Sequence, residues 1–188
     1  MSDARDRVKT LFLERAVAFG TFTLASGQTS SYYINSKKVL FHAEAITLIG
    51  ELLADATADL DFEAIGGLEV GAIPMAAAAL TAFHRRGLHR EGFFVRKQAK
   101  GHGSKETVEG LVKVGDRVVV IDDVLTTGGS VVQAIAAVEA LGAKVVRVVC
   151  ICDRLQGARE ALAAYDYRPL FTVRDFGIPA EPAPKGEP

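Results

Sequence analysis

Two adjacent carboxylates, Asp122 and Asp123, end the apolar run Val118-Val119-Val120-Ile121. Val124, Leu125, Thr126, Thr127, Gly128, Gly129 and Ser130 follow directly. Glycines let the backbone turn so that successive N–H groups face one point, and the start of the helix expected there adds partial positive charge. The hydroxyls of Thr126, Thr127 and Ser130 add donors. The stretch reads as a phosphate cradle. The carboxylates at its lip repel phosphate, so they have another task. They accept hydrogen bonds from sugar hydroxyls or hold a divalent cation. Phosphate donors beside hydroxyl acceptors suit a ribose phosphate. A plain turn capped by Asp and Thr explains one or two of these residues, not the whole run.

A second segment, Arg96-Lys97-Gln98-Ala99-Lys100-Gly101-His102-Gly103-Ser104-Lys105, places four fixed positive charges and a histidine within ten residues. A flexible basic loop can close on a polyanion and exclude water. On its own it reads equally as a solvated surface loop. Gly66-Gly67-Leu68-Glu69-Val70-Gly71 joins a strand to a helix, where glycine serves either ligand approach or tight packing. Arg154, after Cys152-Asp153, can hold a carboxylate with two parallel bonds or form a surface salt bridge.

Competing chemistries fail on residue type. Gly110 to Gly115 has the glycine spacing of a P-loop, but Asp116 replaces the lysine that must follow. Gly101-His102-Gly103 opens like a dinucleotide fingerprint, but Glu106 stands at the third glycine position. His42, His84 and His89 lack metal-ligand spacing, and no cysteine lies near a histidine for nucleophilic catalysis. Cys150 and Cys152 read as buried small hydrophobes on one strand face.

The elements that must position these residues alternate. A helix is expected from residue 3 to about 19, ended by Gly20, then a polar, turn-rich stretch over 21–41, then a helix over about 43–59. Strands are expected at 64–67, 93–95, 117–122, 144–152 and 169–173. Helices fall at 71–86, 128–141 and 156–164, and a long loop at 97–110. Nearly all-apolar strands alternating with helices predict an α/β fold, an open, mostly parallel sheet covered on both faces, with an N-terminal helical and loop segment over residues 1–42. Ligands in such sheets bind beyond the carboxyl ends of the strands. That rule selects 67–72, 96–105 and 122–130. One domain is expected over 1–178, followed by a disordered Pro-rich tail over 179–188.

The 188 residues suffice for one domain with a substantial core. With 22 basic and 23 acidic residues the net charge is -1, so a protein coating nucleic acid through a general basic field is excluded. Two cysteines rule out a disulfide scaffold and a four-cysteine metal site. No apolar run approaches the roughly 20 residues of a membrane span. The expected location is the cytoplasm.

With these residues in view the chain resembles a type I phosphoribosyltransferase, more narrowly an orotate phosphoribosyltransferase. Val119 to Ser130 is similar to the superfamily's signature for 5-phosphoribosyl 1-diphosphate (PRPP). Phe19 to Gly27 followed by Ser31 to Asn35 is similar to the family's N-terminal substrate segment. Val95 to Gly103, continuing to Glu109-Gly110, is similar to its catalytic loop, and Asp153-Arg154 sits where the orotate-carboxylate arginine belongs. The resemblance covers roughly residues 10 to 175.

It implies roles for each matching residue. Asp122 and Asp123 accept from the ribose hydroxyls, and Thr126 to Ser130, with Val124 and Leu125 leading in, hold the 5′-phosphate. Arg96, Lys97, Lys100 and His102 bind the diphosphate. Arg96, Lys100, His102, Asp122 and Asp123 form the catalytic set, while Thr126, Arg154, Tyr33 and Ile34 meet orotate. No protein metal ligand is implied: Mg²⁺ travels with PRPP. A homodimer sharing the loop across its interface is implied, with neither nucleic acid nor membrane as partner. Ala25 departs from the lysine of many members, and Val70-Gly71 from the Tyr-Lys pair of some. The rivals are a phosphoribosyltransferase for a purine or other base and a PRPP-sensing regulator that binds nucleic acid.

Overall fold

The computed structural model describes residues 2–23, 29–98 and 107–182. Helix α1 (Ser2–Arg15) buries Val8, Leu11 and Phe12, whose spacing of three and four puts them on one face. Strands β1 (Val17–Thr23) and β2 (Thr29–Ile34) pair antiparallel in a two-stranded ribbon. A short α2 (Lys37–Leu40) leads into α3 (Ala43–Ala56). Then β3 (Ala64–Leu68), α4 (Ala72–Arg85), β4 (Glu91–Val95) and β5 (Val108–Gly110) follow. The chain continues through β6 (Arg117–Leu125), α5 (Gly129–Ala140), β7 (Lys144–Asp153), α6 (Ala158–Ala161) and β8 (Tyr167–Thr172), and closes in a 3-10 turn, Val173–Phe176.

The main sheet has the order β5-β4-β3-β6-β7-β8. All neighbours are parallel except the edge pair β4–β5. Its strands are valine-rich because both faces are covered. Val119 and Ile121 of β6 pack with α1, α3 and α4, while Val118 and Val120 pack with α5. Each such side chain buried contributes about 1.5–3 kcal/mol. The expected open, mostly parallel sheet is therefore what forms, and β6 at its centre carries the two carboxylates to the carboxyl edge.

Four local expectations are corrected. Gly20 does not end a helix. α1 stops at Arg15, and the β-forming run Val17, Phe19, Thr21, Phe22, Thr23 makes a strand instead. Gly20 sits where the β1–β2 register shifts, with a φ of +154° that suits glycine. The long loop contains β5, whose Val108 and Glu109 extend the sheet beside β4. α6 is a single turn rather than 156–164. The tail is not disordered through 179–182: Ile178 is 1% exposed, Glu181 accepts hydrogen bonds from Ser30 and Ser31, and the Pro182 carbonyl accepts from Gln156. An apolar anchor and a capped carboxylate outweigh the proline content there; residues 183–188 lie outside the described residues.

Cys150 and Cys152 are both free and buried, but they do not share surroundings. Cys150 packs on the α5 side, with its Sγ 3.2 Å from the Tyr167 hydroxyl, and Cys152 on the α1 side. Burial pushes both thiols up, leaving neither as a thiolate.

Candidate active site

Asp122 and Asp123 are each 6% exposed, at the floor of a cleft of about 210 Å³. Lys37, Glu69, Gly71, Lys97 and Ser130 stand around them. The carboxylates shape their own backbone: Asp122 Oδ1 accepts from the Asp123 N–H, and Asp123 Oδ1 from the Val124 N–H, each at 2.9 Å. Their other oxygens differ in company. Ser130 Oγ donates to Asp122 Oδ2 at 2.5 Å. Asp123 Oδ2 receives Lys37 Nζ at 2.7 Å and the Ser36 hydroxyl.

That difference splits the pair electrically. Burial, then the neighbouring Asp123 charge, pushes the Asp122 carboxyl up to about 7 against the opposing bond from Ser130. Burial pushes Asp123 up as well, but the bonds from Lys37 and Ser36 outweigh it and hold Asp123 below its ordinary value. One carboxylate is held as an anion while its neighbour titrates near neutrality.

The glycines around the cleft serve two purposes. A Cβ on Gly66 would lie 1.9 Å from the Phe93 carbonyl oxygen, and one on Gly67 2.0 Å from that of Ile121, so these two pack strands. A Cβ on Gly71 would stand 2.6 Å from the Asp123 carboxylate carbon. The Val70-Gly71 sequence thus leaves room for Asp123, and the cation beside Asp123 comes from Lys37 on α2. The Glu69–Val70 peptide is cis.

The cradle residues occupy the β6–α5 turn. Gly128 has a φ of +88° and α5 starts at Gly129. Thr127 and Gly129 are exposed, and Thr126 and Val124 half-buried. Leu125 differs: its side chain is wholly buried in the α5-side core, so it offers the turn its backbone alone. Ser130 directs its hydroxyl to Asp122. Arg96 pairs with Glu109 at 3.0 Å, and Lys97 takes its place on the cleft wall with its N–H bonded to Glu69 Oε1 at 2.9 Å. Lys100, His102 and Ala25 lie outside the described residues.

Arg154 follows β7, and its N–H donates to the Leu125 carbonyl at 2.9 Å, which places it beside the end of β6. Its Nε donates to the Tyr32 hydroxyl at 3.1 Å and its guanidinium lies over the Tyr32 ring, 4.7 Å from the centroid. Its Nη2 is buried and without a hydrogen bond among the described residues. Tyr32, with its ring in the core and its hydroxyl on Arg154, is the residue the sequence reading missed. Strand alternation turns Tyr33 outward, 48% exposed against Phe22, and leaves Ile34 half-buried against the α1-side core. Neither lines the cleft. Ser36 and Lys37 were also missed, since a Ser-Lys pair in a polar stretch carries no signal of its own. Only the fold brings them across to Asp123.

Residues 36–178 match the family model described as a phosphoribosyl transferase domain. The chain is 45% identical to the orotate phosphoribosyltransferase of Streptomyces avermitilis, over 95% of this chain and all of that one. It is 38% identical to that of Thermococcus kodakarensis, over 94% of this chain and 95% of that one. The chain belongs to the orotate phosphoribosyltransferases. Among solved structures, the Mycobacterium tuberculosis orotate phosphoribosyltransferase in complex with PRPP superposes with a TM-score of 0.80 at 35% identity, over 93% of this chain and 99% of that one. The sheet order and its flanking helices are thus those of the type I phosphoribosyltransferase fold. An adenine phosphoribosyltransferase from Thermoanaerobacter pseudethanolicus has a TM-score of 0.64 at 20% identity and shares the fold alone. The rival reading as a purine enzyme is not favoured.

Proposed function

We propose that the carboxyl edge of the sheet carries out the reaction of the orotate phosphoribosyltransferases with the following division of labour. The enzyme transfers the phosphoribosyl group of PRPP to N1 of orotate, giving orotidine 5′-monophosphate and diphosphate, a step of pyrimidine nucleotide biosynthesis. The bond from the ribose C1 to the diphosphate oxygen breaks, and its electron pair leaves with diphosphate. The C1–N1 bond forms from the nitrogen lone pair as the N1 proton is released.

The carrying observation is the meeting of two unlike groups on one edge, Asp122-Asp123 and Arg154, joined by the Arg154 N–H on the Leu125 carbonyl. Asp123, and Asp122 when ionised, accept from the ribose hydroxyls. The Thr126–Gly129 turn takes the 5′-phosphate on its N–H groups and hydroxyls. Arg96, Lys97, Lys100 and His102 stabilise the charge gathering on the departing diphosphate. Arg154 receives the orotate carboxylate on a donor already desolvated, and Thr126 borders the same base. Holding base and ribose in line lowers the barrier without a covalent nucleophile.

Asp122 and Asp123 offer hard oxygens suited to Mg²⁺, but the described residues contain no group of three or more side chains able to cage a metal. They fit an ion whose other ligands come from substrate oxygens. Bound with PRPP, Mg²⁺ neutralises charge on the diphosphate. A cytoplasmic homodimer that shares the 96–105 segment across its interface completes the reading, with small molecules rather than nucleic acid or membrane as partners. It rests on the family resemblance and the balanced net charge of -1. No helix among the described residues is long and apolar enough to cross a membrane.

The test mixes the protein with PRPP and Mg²⁺, and with orotate, hypoxanthine, guanine or uracil in turn. Loss of orotate absorbance is expected, with turnover of the other bases far slower. Equal turnover of a purine, or none of any base, contradicts the reading.

A further inference from the structure

Glu181 lies outside every motif discussed so far and beyond the matched domain, yet it reaches the site. Its Oε1 accepts from the Ser31 N–H and the Ser31 hydroxyl, each at 2.8 Å, and its Oε2 accepts from the Ser30 hydroxyl at 2.7 Å. Ser30 is itself 3% exposed, and its one hydroxyl proton is shared between Glu181 Oε2 and the Tyr32 carbonyl, each at 2.7 Å. Glu181 Oε2 also stands 3.6 Å from Arg154 Nη2. The tail carrying it is held on either side, by the buried Ile178 and by Gln156 Nε2 on the Pro182 carbonyl at 2.9 Å. One carboxylate thus touches the β2 strand that presents Tyr32 and faces the guanidinium that Tyr32 holds.

We propose that Glu181 is a positioning residue for orotate recognition: it clamps β2 to the end of β7 and sets the direction of the Arg154 guanidinium. The proposal rests on the reading of Arg154 as the group that takes the orotate carboxylate. A plug occupying the carboxylate position is the opposite role, and the geometry disfavours it. The Glu181 carboxylate is satisfied by three hydrogen bonds from the two serines, and it makes none to Arg154. Arg154 Nη2 therefore keeps its donor for a ligand, while the charge at 3.6 Å holds its orientation. A guanidinium fixed before binding loses less freedom on binding, which favours affinity.

Glu181→Ala removes the whole clamp. Glu181→Gln keeps its one oxygen toward Ser31 only by turning its amide nitrogen toward Ser30 and Arg154. Steady-state kinetics with each substrate varied, together with thermal midpoints, read the effect. The expected result is an orotate KM raised about tenfold in Glu181→Ala and about threefold in Glu181→Gln, with the PRPP KM within twofold of wild type. Melting points should stay within a few degrees. A lowered orotate KM would identify a plug and overturn the clamp, and so would an unchanged one. A parallel rise in both KM values with a fallen midpoint would assign Glu181 to general stability and overturn it too. Arg154→Lys is run alongside. If it leaves the orotate KM unchanged, the reading of Arg154 has failed; if it raises that KM and the Glu181 variants do not, only the clamp has failed.

Discussion

At the two ends of the parallel strands, charged residues are arranged to opposite purposes. At the amino ends, Arg147 and Arg117 close onto carboxylates of neighbouring loops. Arg147 is 1% exposed, donates to Asp59 and the Ala56 carbonyl from Nη1, and reaches Asp166 from Nε at 2.7 Å. Arg117 spans Asp61 and Glu63 at 2.7 and 2.8 Å. At the carboxyl ends the same residue types are left incomplete. Asp122 titrates near neutrality, Lys37 is half-exposed over Asp123, and Arg154 keeps a buried donor that makes no hydrogen bond among the described residues, with the Glu181 carboxylate 3.6 Å away. Completed networks hold the sheet together; incomplete ones retain affinity for something that arrives from outside. Breaking the first kind should change stability and spare the reaction, and breaking the second should do the reverse.

The largest effect expected is Asp123→Ala, which removes the one carboxylate held as an anion at the cleft floor. Losing charged hydrogen bonds worth roughly 3 kcal/mol lowers kcat/KM for PRPP about a hundredfold. The thermal midpoint should move by only a few degrees. A midpoint collapse with the activity of the folded fraction intact would erase the contrast between the edges.

Next is Arg147→Met at the opposite edge. Its acidic partners are surface residues, so they regain water, and the expected cost is about 2–3 kcal/mol, a midpoint drop of roughly 5–10 °C. Turnover at 25 °C should be retained. Acid unfolding sharpens the same point. The Asp59 carboxyl is held down at about 2 chiefly by Arg147, so its contribution is present above its ordinary value of 3.8 and is lost as pH falls toward 2. Arg147→Met should flatten that part of the pH–stability curve.

Lys37→Met is predicted to raise the PRPP KM about tenfold while leaving the orotate KM nearly unchanged, because it removes a cation from the cleft wall and a partner from Asp123. Lys37→Arg should recover most of the loss. A change in the orotate KM alone would place Lys37 elsewhere in the reaction.

The smallest effect concerns Asp122. Its raised value means that the folded state takes up a proton more readily than the unfolded chain. That stability is present in full below the ordinary value of 3.8 and lost as pH rises through about 7. Asp122→Asn removes the dependence. Its midpoint should exceed that of wild type by a few degrees at pH 8 and approach it at pH 4. Equal offsets at both values would show that Asp122 does not titrate as described.

Most of this arrangement was legible in the sequence where chemistry and local pattern coincide. The run from Val118 to Ser130 states a buried strand, two carboxylates and a turn within one short stretch, and β6 and α5 bear it out. Arg154 could be placed on the same edge because its strand is apolar up to Asp153. What was not legible depends on pieces far apart in the chain. Tyr32 and Tyr33 are alike as residues, and only the register of β1 with β2 decides which reaches Arg154. Ser36 and Lys37 meet Asp123 across 86 or more positions, and Glu181 meets Ser30 across 151. The proline-rich end concealed Ile178 and Glu181, whose burial depends on partners at the start of the chain. Arg147 interrupts an apolar strand, and two surface carboxylates and a carbonyl, none of them near it in the chain pattern, let it lie fully buried there.

The central claim is that an incomplete arginine at the carboxyl edge selects a base bearing a carboxylate. Uracil is orotate without that group. The deciding measurement is the ratio of kcat/KM for orotate to that for uracil, in wild type and in Arg154→Ala. The account predicts a large preference for orotate in the wild type that falls about a hundredfold in the variant, through loss of orotate turnover with uracil turnover little changed. A ratio that survives the substitution would contradict it.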